Sequence, residues 1–371
     1  MKILKRILKW SARALLLALI LAAVALFIAY WRSTNDCDRD AGAPNNSMKA
    51  IVHCEYGSPD VLKLEDVEKP TPADNQVLVR VRAASLNPLD LTRGPWFVRP
   101  ILGMRKPKYT RLGVDYAGTV EAVGKSVTQF KPGDEVFGGK KGALAEYGCV
   151  LPDRAIALKP ANMTFEQAAA VPVAAITALQ GLRDKGKIQP GQKVLINGAS
   201  GGVGTFAVQI AKSFGTEVTG VCSTRNLDMV RSIGADHVID YTKEDFTKGD
   251  QRYDLIFDLV GNHSFSERRR VLNPNGICVM AGLGGAGLHE GMFSRLAGEL
   301  NAYVRSLFVS EKFIAYIAKL NQDDLTILRD LMQGGKITPV IDRTYKLNET
   351  PDALRYLETG HARGKVVIAL E

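Results

Sequence analysis

The sequence has few cysteines, and no two of them stand at metal-binding spacing. A structural zinc lobe needs four thiolates in close pairs, and no C-x-x-C occurs here, so that class of metal site is excluded. An odd and scattered count also argues against a disulfide framework, and we expect reduced thiols. The five positions are Cys37, Cys54, Cys149, Cys222 and Cys278.

The chain also lacks the basic stripe of a nucleic-acid-binding protein. Its formal net charge is +9, but residues 1–47 hold seven Lys or Arg against three Asp, which is +4. The rest of the chain shows no Lys and Arg interleaved with aromatic residues, so no nucleic acid is expected as a partner. We interpret the run Arg268-Arg269-Arg270 as the exposed face of a helix.

One long apolar run is present, near the N-terminus. Residues 14–31 are uncharged and nearly all apolar, five Lys or Arg precede them, and Tyr30 and Trp31 close the run. Such a run is long enough to cross a hydrocarbon core. We therefore predict an N-terminal transmembrane helix, with residues 1–47 forming a single-pass membrane anchor and a polar linker.

A cleaved signal peptide is the alternative interpretation of this run. The anchor is favoured because bulky residues, Tyr30, Trp31 and Arg32, stand where a cleavage site needs small ones. The positive charges before the span predict a cytoplasmic N-terminus. The body would then lie on the opposite side of the membrane, and both orientations are kept as alternatives.

Two hydrophobic patterns divide the chain after the linker. Residues 48–171 alternate apolar and polar positions in short segments cut by Pro and Gly, which is typical of a compact β-rich barrel. Residues 172–335 alternate apolar strands with helical patterns, which predicts an α/β fold with a doubly wound parallel sheet. Residues 336–371 return to strands, and we expect them to complete the first domain.

A glycine-rich segment at the start of the second region predicts a dinucleotide-binding turn. It follows the apolar strand 193–197, precedes an apolar helix, and places three glycines at G-x-x-G-x-x-G spacing. Glycine lets the backbone approach a pyrophosphate that sits on a helix N-terminus. The candidate cofactor-binding residues of this turn are Gly198, Ala199, Ser200, Gly201, Gly202, Val203 and Gly204.

Four segments together resemble the medium-chain dehydrogenase/reductase superfamily: residues 85–90, 113–118, 130–136 and 198–204. Over residues 48–371 the chain is most similar to the zinc-independent quinone oxidoreductase and enone reductase branch, and residues 307–310 and 360–365 strengthen that match. The resemblance implies a GroES-like barrel domain, a Rossmann domain that binds NADP, and, by analogy alone, a homodimer.

Zinc-dependent members of the superfamily carry metal ligands that this chain lacks. Val114 stands at the position of their His ligand, and the position of their early Cys ligand falls near Asn87-Pro88. Neither Val nor Asn can replace a thiolate or imidazole as a zinc ligand, so no metal site is expected.

The end of the second strand of the α/β region favours NADPH over NADH. An acid about 20 residues after the glycines would bond both ribose hydroxyls and select NAD. Residues 221–226 contain none; instead Ser223 offers a hydroxyl and Arg225 a charge for a 2′-phosphate, which Tyr241 also approaches in similar proteins. The alternative for Arg225 is an exposed loop cation.

Other cofactor neighbours follow from strand ends and from the resemblance. Thr177 matches a threonine near the nicotinamide, although its hydroxyl could instead bond back to its own helical turn. Ligands of parallel sheets bind outside the carboxyl ends of the strands. This rule adds Val260, Gly282 and Leu283 as candidates.

The catalytic side is less determined. Hydride transfer leaves negative charge on a carbonyl oxygen, and Asn87 matches the asparagine suited to donate to it; the alternative is that Asn87 only forms a turn. Tyr116 or solvent is expected to supply the proton, and Trp96 and Phe97 to shape an apolar pocket. The predicted activity is NADPH-dependent reduction of lipophilic quinones or α,β-unsaturated carbonyls. A membrane-tethered NADP-binding sensor without turnover is the alternative.

Overall fold

The structure, a computed structural model, describes residues 46–90, 99–281 and 301–370 together with residues 10, 17–18, 20–21, 24–25, 27–28, 30–32, 37 and 298. Fifteen strands are assigned in this part of the chain: β1 Ser47–His53, β2 Leu62–Glu68, β3 Val77–Ser85, β4 Asp115–Val123, β5 Glu135–Gly139, β6 Tyr147–Val150, β7 Ile156–Leu158, β8 Lys193–Asn197, β9 Glu217–Cys222, β10 His237–Asp240, β11 Tyr253–Asp258, β12 Leu272–Ala281, β13 Lys312–Tyr316, β14 Ile341–Lys346 and β15 Lys365–Ala369.

The helices that connect these strands are mostly short. They are α1 Arg99–Leu102, α2 Phe165–Ala169, α3 Pro172–Leu179, α4 Gly202–Ser213, α5 Leu227–Ser232, α6 Phe265–Arg270, α7 Gln322–Gln333 and α8 Thr350–Glu358, with a π-helical turn at Gln180–Lys185 and 3₁₀ turns at Pro59–Val61, Pro88–Asp90, Thr224–Asn226, Phe246–Lys248 and Leu347–Glu349. Thr164 and Ser264 begin α2 and α6 with capping boxes, which satisfy backbone N–H groups of the first turn.

The first and last parts of the chain share one sheet of seven strands. Its order is β14-β15-β3-β4-β5-β7, with β6 also paired to β3. β15 lies antiparallel to β3, so a strand from the end of the chain closes a sheet begun near residue 77. Alternating side chains of these strands form a buried core that includes Val79, Tyr116 and Ile368.

The middle of the chain forms a six-stranded parallel sheet in the order β10-β9-β8-β11-β12-β13. Numbered along the chain from β8, this is the order 3-2-1-4-5-6 of a dinucleotide-binding Rossmann sheet. The predicted combination of a GroES-like sheet and a doubly wound sheet is therefore present. The sixth strand, β13, was not predicted, because only one of its five residues is buried and its pattern is weak.

Of the predicted membrane span over residues 14–31, ten positions are described and eight lie outside the described residues. In the part of the chain that the structure does describe, no helix has both the length and the apolar character to cross a bilayer.

Two expectations from the sequence were wrong. Cys37 and Cys54 form a disulfide, so the thiols are not all reduced; the other three cysteines remain thiols. In the arginine run, Arg269 and Arg270 are exposed as expected, but Arg268 is 4% exposed and donates to Asp258 Oδ2 at 3.0 Å, with both side chains of the pair buried. Burial of Arg268 is compensated by this paired charge.

The disulfide predicts how many thiols react. After denaturation without reductant, alkylation is expected to modify three of the five cysteines, and all five after reduction, counted by intact mass. In Cys37→Ser the partner Cys54 becomes a thiol, so all four remaining cysteines react without reductant. Five alkylated cysteines in unreduced protein secreted to an oxidising compartment would contradict the pairing.

Candidate active site

The glycine turn joins β8 to α4 in a conformation that needs glycine. Gly198 has φ +88°, in the left-handed region, and a Cβ on Gly204 would lie 2.1 Å from the carbonyl oxygen of Gly198. Helix α4 begins at Gly202, and its N-cap Gly201 has no side chain to satisfy the first N–H groups. Open N–H groups and an unobstructed turn fit the pyrophosphate of a dinucleotide.

The remaining members of the turn hold it in place. Ala199 is fully buried and donates its N–H to Val221 O at 3.0 Å. Ser200 Oγ accepts from Asn226 Nδ2 at 3.0 Å, and the same Nδ2 donates to Ser223 Oγ at 3.1 Å. Asn226 thus ties the turn to the end of β9, where the adenosine side of a dinucleotide lies in a Rossmann sheet.

Arg225 is held beside this strand end by another part of the chain. Its guanidinium donates to His361 O at 2.7 Å, which leaves other N–H groups for a ligand. Tyr241, directly after β10, is 58% exposed and is available at the same edge of the sheet. Arg225 is exposed, as the alternative held, but its guanidinium is tied to the backbone at His361.

At the carboxyl ends of β8 and β11 a buried aspartate organises the loop. Asp258 Oδ1 accepts from Asn197 Nδ2 at 2.9 Å and from the N–H groups of Val260 and Gly261 at 3.1 and 2.9 Å. This fixes Val260 next to the glycine turn, with its Cγ2 3.0 Å from where a Cβ of Gly198 would stand. Gly282 and Leu283 lie outside the described residues.

Thr177 lies on α3 with its hydroxyl already engaged. Thr177 Oγ1 donates to Val173 O at 2.7 Å, which is the back-bonded alternative, and the residue is 9% exposed. Its carbonyl oxygen accepts from the hydroxyl of Tyr316, the last residue of β13. Contact of Thr177 with a cofactor would therefore require its hydroxyl to act as an acceptor while it donates to Val173 O.

A buried polar cluster lies at the end of β3, where Asn87 begins a short turn. Asn87 is 3% exposed; its Nδ2 donates to Asp115 Oδ2 at 2.9 Å, and its Oδ1 accepts from Lys365 Nζ at 2.8 Å. Lys365 Nζ also lies 3.2 Å from Asp115 Oδ2. Asn87 does form a turn, as the alternative held, but its side chain is fixed within a charged network.

Asp90 stabilises the same turn through hydrogen bonds to its backbone. Its carboxylate accepts from the backbone N–H of Asn87 at 2.8 Å and of Gly113 at 3.1 Å. Complete burial raises the pKa of Asp90 to about 7, against the opposing effect of these two hydrogen bonds. Because this pKa lies above that of an unfolded aspartate, the contribution of Asp90 to stability is lost as pH rises through about 7.

Tyr116 does not reach this cluster. It follows Asp115 on β4, points to the opposite face and is fully buried in the apolar core of the barrel sheet, where its hydroxyl has no hydrogen-bond partner among the described residues. Burial raises the pKa of Tyr116 far above its ordinary value. Because Tyr116 is buried away from the polar cluster, it is excluded as the proton donor. Trp96 and Phe97 lie outside the described residues.

Two members of the cluster were missed from the sequence, Asp115 and Lys365. Both belong to segments that carried the resemblance, but neither was assigned a role. A signal for Lys365 was present, since a lysine that opens the apolar run 365–370 has to be either exposed or paired in the core. Among the described residues no group of three His, Cys, Asp or Glu is placed to hold a metal ion.

Comparison with known proteins agrees with this arrangement. Residues 73–161 match the family described as alcohol dehydrogenase GroES-like domain, and residues 233–368 match the family described as zinc-binding dehydrogenase. The second description comes from zinc enzymes, whereas in this chain Val114 and Asn87 stand where their ligands are expected.

Individual similar proteins indicate the branch of the family to which the chain belongs. A 2-methylene-furan-3-one reductase of Solanum lycopersicum is 37% identical over 338 residues, 87% of this chain and 79% of the relative. A chloroplastic NADPH-dependent alkenal/one oxidoreductase of Arabidopsis thaliana is 36% identical, covering 89% and 81%. The solved quinone oxidoreductase of Coxiella burnetii superposes with a TM-score of 0.76 at 34% identity, covering 88% and 100%. The chain belongs to the medium-chain dehydrogenase/reductase superfamily, in its zinc-independent quinone oxidoreductase branch.

Proposed function

We propose that this oxidoreductase uses NADPH to reduce lipophilic quinones or α,β-unsaturated carbonyl compounds. The observation that carries the proposal is the Asn87 amide, fixed between Asp115 and Lys365 just after the end of strand β3. Names of the similar proteins, which include an NADPH-dependent alkenal/one oxidoreductase, support the same class of reaction.

The chain supplies binding and orientation, and bound NADPH supplies the hydride. We assign the pyrophosphate to the turn 198–204 and the 2′-phosphate to Ser223, Arg225 and Tyr241, with Thr177 and Val260 beside the rest of the cofactor. Asn87 has two amide hydrogens, and one of them donates to Asp115. The second is positioned to donate to a carbonyl oxygen on which charge develops.

We assign solvent as the source of the proton that the substrate takes up after hydride transfer. Tyr116, the protein donor considered from the sequence, is enclosed in the core. A quinone oxygen or an enolate is basic enough, once hydride has arrived, to take a proton from water. Within this scheme the substrate and cofactor are held by separate units, residues 48–171 with 336–371 and residues 172–335, and these boundaries are part of the proposal.

We further propose that residues 1–47 tether the body to a membrane. Cys37 follows Trp31, the last residue of the apolar run, by six positions, so the connecting chain reaches at most about 20 Å. The disulfide to Cys54 then holds the barrel domain within that distance of the bilayer surface. Residues 99–111 near this end carry five Lys or Arg and no acid, which favours apposition to anionic lipid.

The activity is tested with purified full-length chain and a panel of quinones and enones, following NADPH oxidation. Turnover with members of either class is expected, and Tyr116→Phe should retain it because the hydroxyl contacts no ligand. Binding of NADPH without turnover of any panel member would favour the alternative, a tethered sensor, and overturn the reductase proposal.

Arg225 predicts the cofactor preference. Arg225→Ala should raise the KM for NADPH about 10- to 100-fold, since a charge-assisted hydrogen bond contributes about 1.5–3 kcal/mol, and should leave the KM for NADH nearly unchanged. Arg231→Ala, which removes an exposed arginine paired with Asp228 on the neighbouring helix, is the matched control. Equal effects on both cofactors would show that Arg225 does not read the phosphate.

The tether predicts a substrate-dependent effect. Deleting residues 1–36 is expected to leave turnover of a water-soluble quinone unchanged and to reduce turnover of a long-chain quinone embedded in vesicles. Reconstituted full-length protein and the deletion variant are compared at equal active concentration. Equal rates on the embedded quinone would refute the tether while leaving the reductase activity intact.

A further inference from the structure

We infer that Lys365 is a positioning residue that links the pyrophosphate-binding turn to the amide of Asn87. The inference rests on the proposed function, because it assigns a role to Asn87 in the same site. Lys365 lies 278 positions from Asn87 in the sequence, yet its side chain joins the two ligand-binding regions directly.

The stem of Lys365 lies against the glycine turn. A Cβ on Gly202, the first residue of α4, would stand 3.1 Å from Lys365 Cδ and 3.4 Å from Gly364 O. Gly201 and Gly364 form a parallel β-bridge at the same point. A dinucleotide whose pyrophosphate sits on the N-terminus of α4 therefore lies next to the lysine stem.

The ammonium of Lys365 lies in the substrate-side cluster. The side chain is 3% exposed, and Nζ donates to Asn87 Oδ1 at 2.8 Å and lies 3.2 Å from Asp115 Oδ2. An ammonium has three hydrogens and no acceptor, so it can bond only the oxygen of the Asn87 amide. Asp115 accepts from the nitrogen of the same amide.

Together the two charges allow a single orientation of the amide. With the oxygen facing Lys365 and one N–H facing Asp115, the second N–H has a fixed direction. Among the described residues the structure shows no acceptor for this second N–H. It is the group that we assigned to the carbonyl oxygen, so Lys365 sets the direction in which Asn87 donates.

The same contacts couple the two ligands. The Lys365 stem packs on the first turn of α4 so closely that a Cβ on Gly202 would lie 3.1 Å from its Cδ, and a pyrophosphate bound at this turn would contact the stem and shift Nζ relative to Asn87 and Asp115. We therefore expect Lys365 to transmit cofactor binding to the orientation of Asn87. A lysine that only bound phosphate would not need its ammonium buried on a carboxylate and an amide.

The test uses full-length protein and two readouts, steady-state turnover and the emission of bound NADPH, which reports the surroundings of its nicotinamide. Lys365→Met should lower kcat about 10- to 100-fold and shift the emission in the same way as Asn87→Ala. The double variant should be no worse than Asn87→Ala alone, since residues that act as a unit are not additive.

Lys159→Met is the matched control. Lys159 is another buried lysine of the barrel domain, with its side chain 5% exposed and paired to Glu135 at 3.0 Å. It is expected to lower thermal stability without changing kcat or the emission. If Lys365→Met does not fold, Lys365→Arg keeps the charge, and the non-additivity with Asn87→Ala is tested with that variant.

Two results would overturn the inference. A rise in the Kd for NADPH with unchanged emission and kcat would make Lys365 a phosphate ligand only, and additive effects with Asn87→Ala would separate the two residues. Because the emission readout needs no substrate, absence of turnover in wild-type protein would refute the reductase proposal without deciding the role of Lys365.

Discussion

The carboxylate of Asp115 is the interaction on which the substrate side of the structure depends. It accepts from Ser85 Oγ at 3.0 Å, Asn87 Nδ2 at 2.9 Å and the N–H of Val173 at 2.9 Å, and it pairs with Lys365. These donors come from β3, the turn after it, helix α3 and strand β15. One buried carboxylate thus joins the barrel sheet, the helix that leads into the parallel sheet, and the returning strand. Removing Lys365 would leave this carboxylate buried without a partner charge and would destabilise the fold.

The returning segment 360–365 contacts both regions that we assign to the cofactor. His361 O holds the guanidinium of Arg225 at the strand end where the 2′-phosphate is assigned. Four residues after His361, Lys365 contacts the glycine turn and Asn87. Gly364 makes this course possible, since it has φ +101° and a Cβ there would lie 2.3 Å from Val340 O.

Local patterns were enough to predict most strands of the two sheets and the glycine turn between β8 and α4. The apolar runs and the glycines 198–204 mark these elements within a few residues. The Asp115–Lys365 pair was beyond such reasoning because its members are 250 positions apart. Neither β13, in which only Phe313 is buried, nor the disulfide between two of five scattered cysteines leaves a local signal.

The sheet order also has a consequence for the timing of folding during synthesis. The parallel sheet contains strands β8 to β13 and is complete once residue 316 has left the ribosome, whereas β3 must wait for β15, which begins at Lys365. A nascent chain can therefore complete the parallel sheet before Lys365 has reached Asn87 and Asp115. The polar cluster at the end of β3 is thus among the last parts of the molecule to form during synthesis.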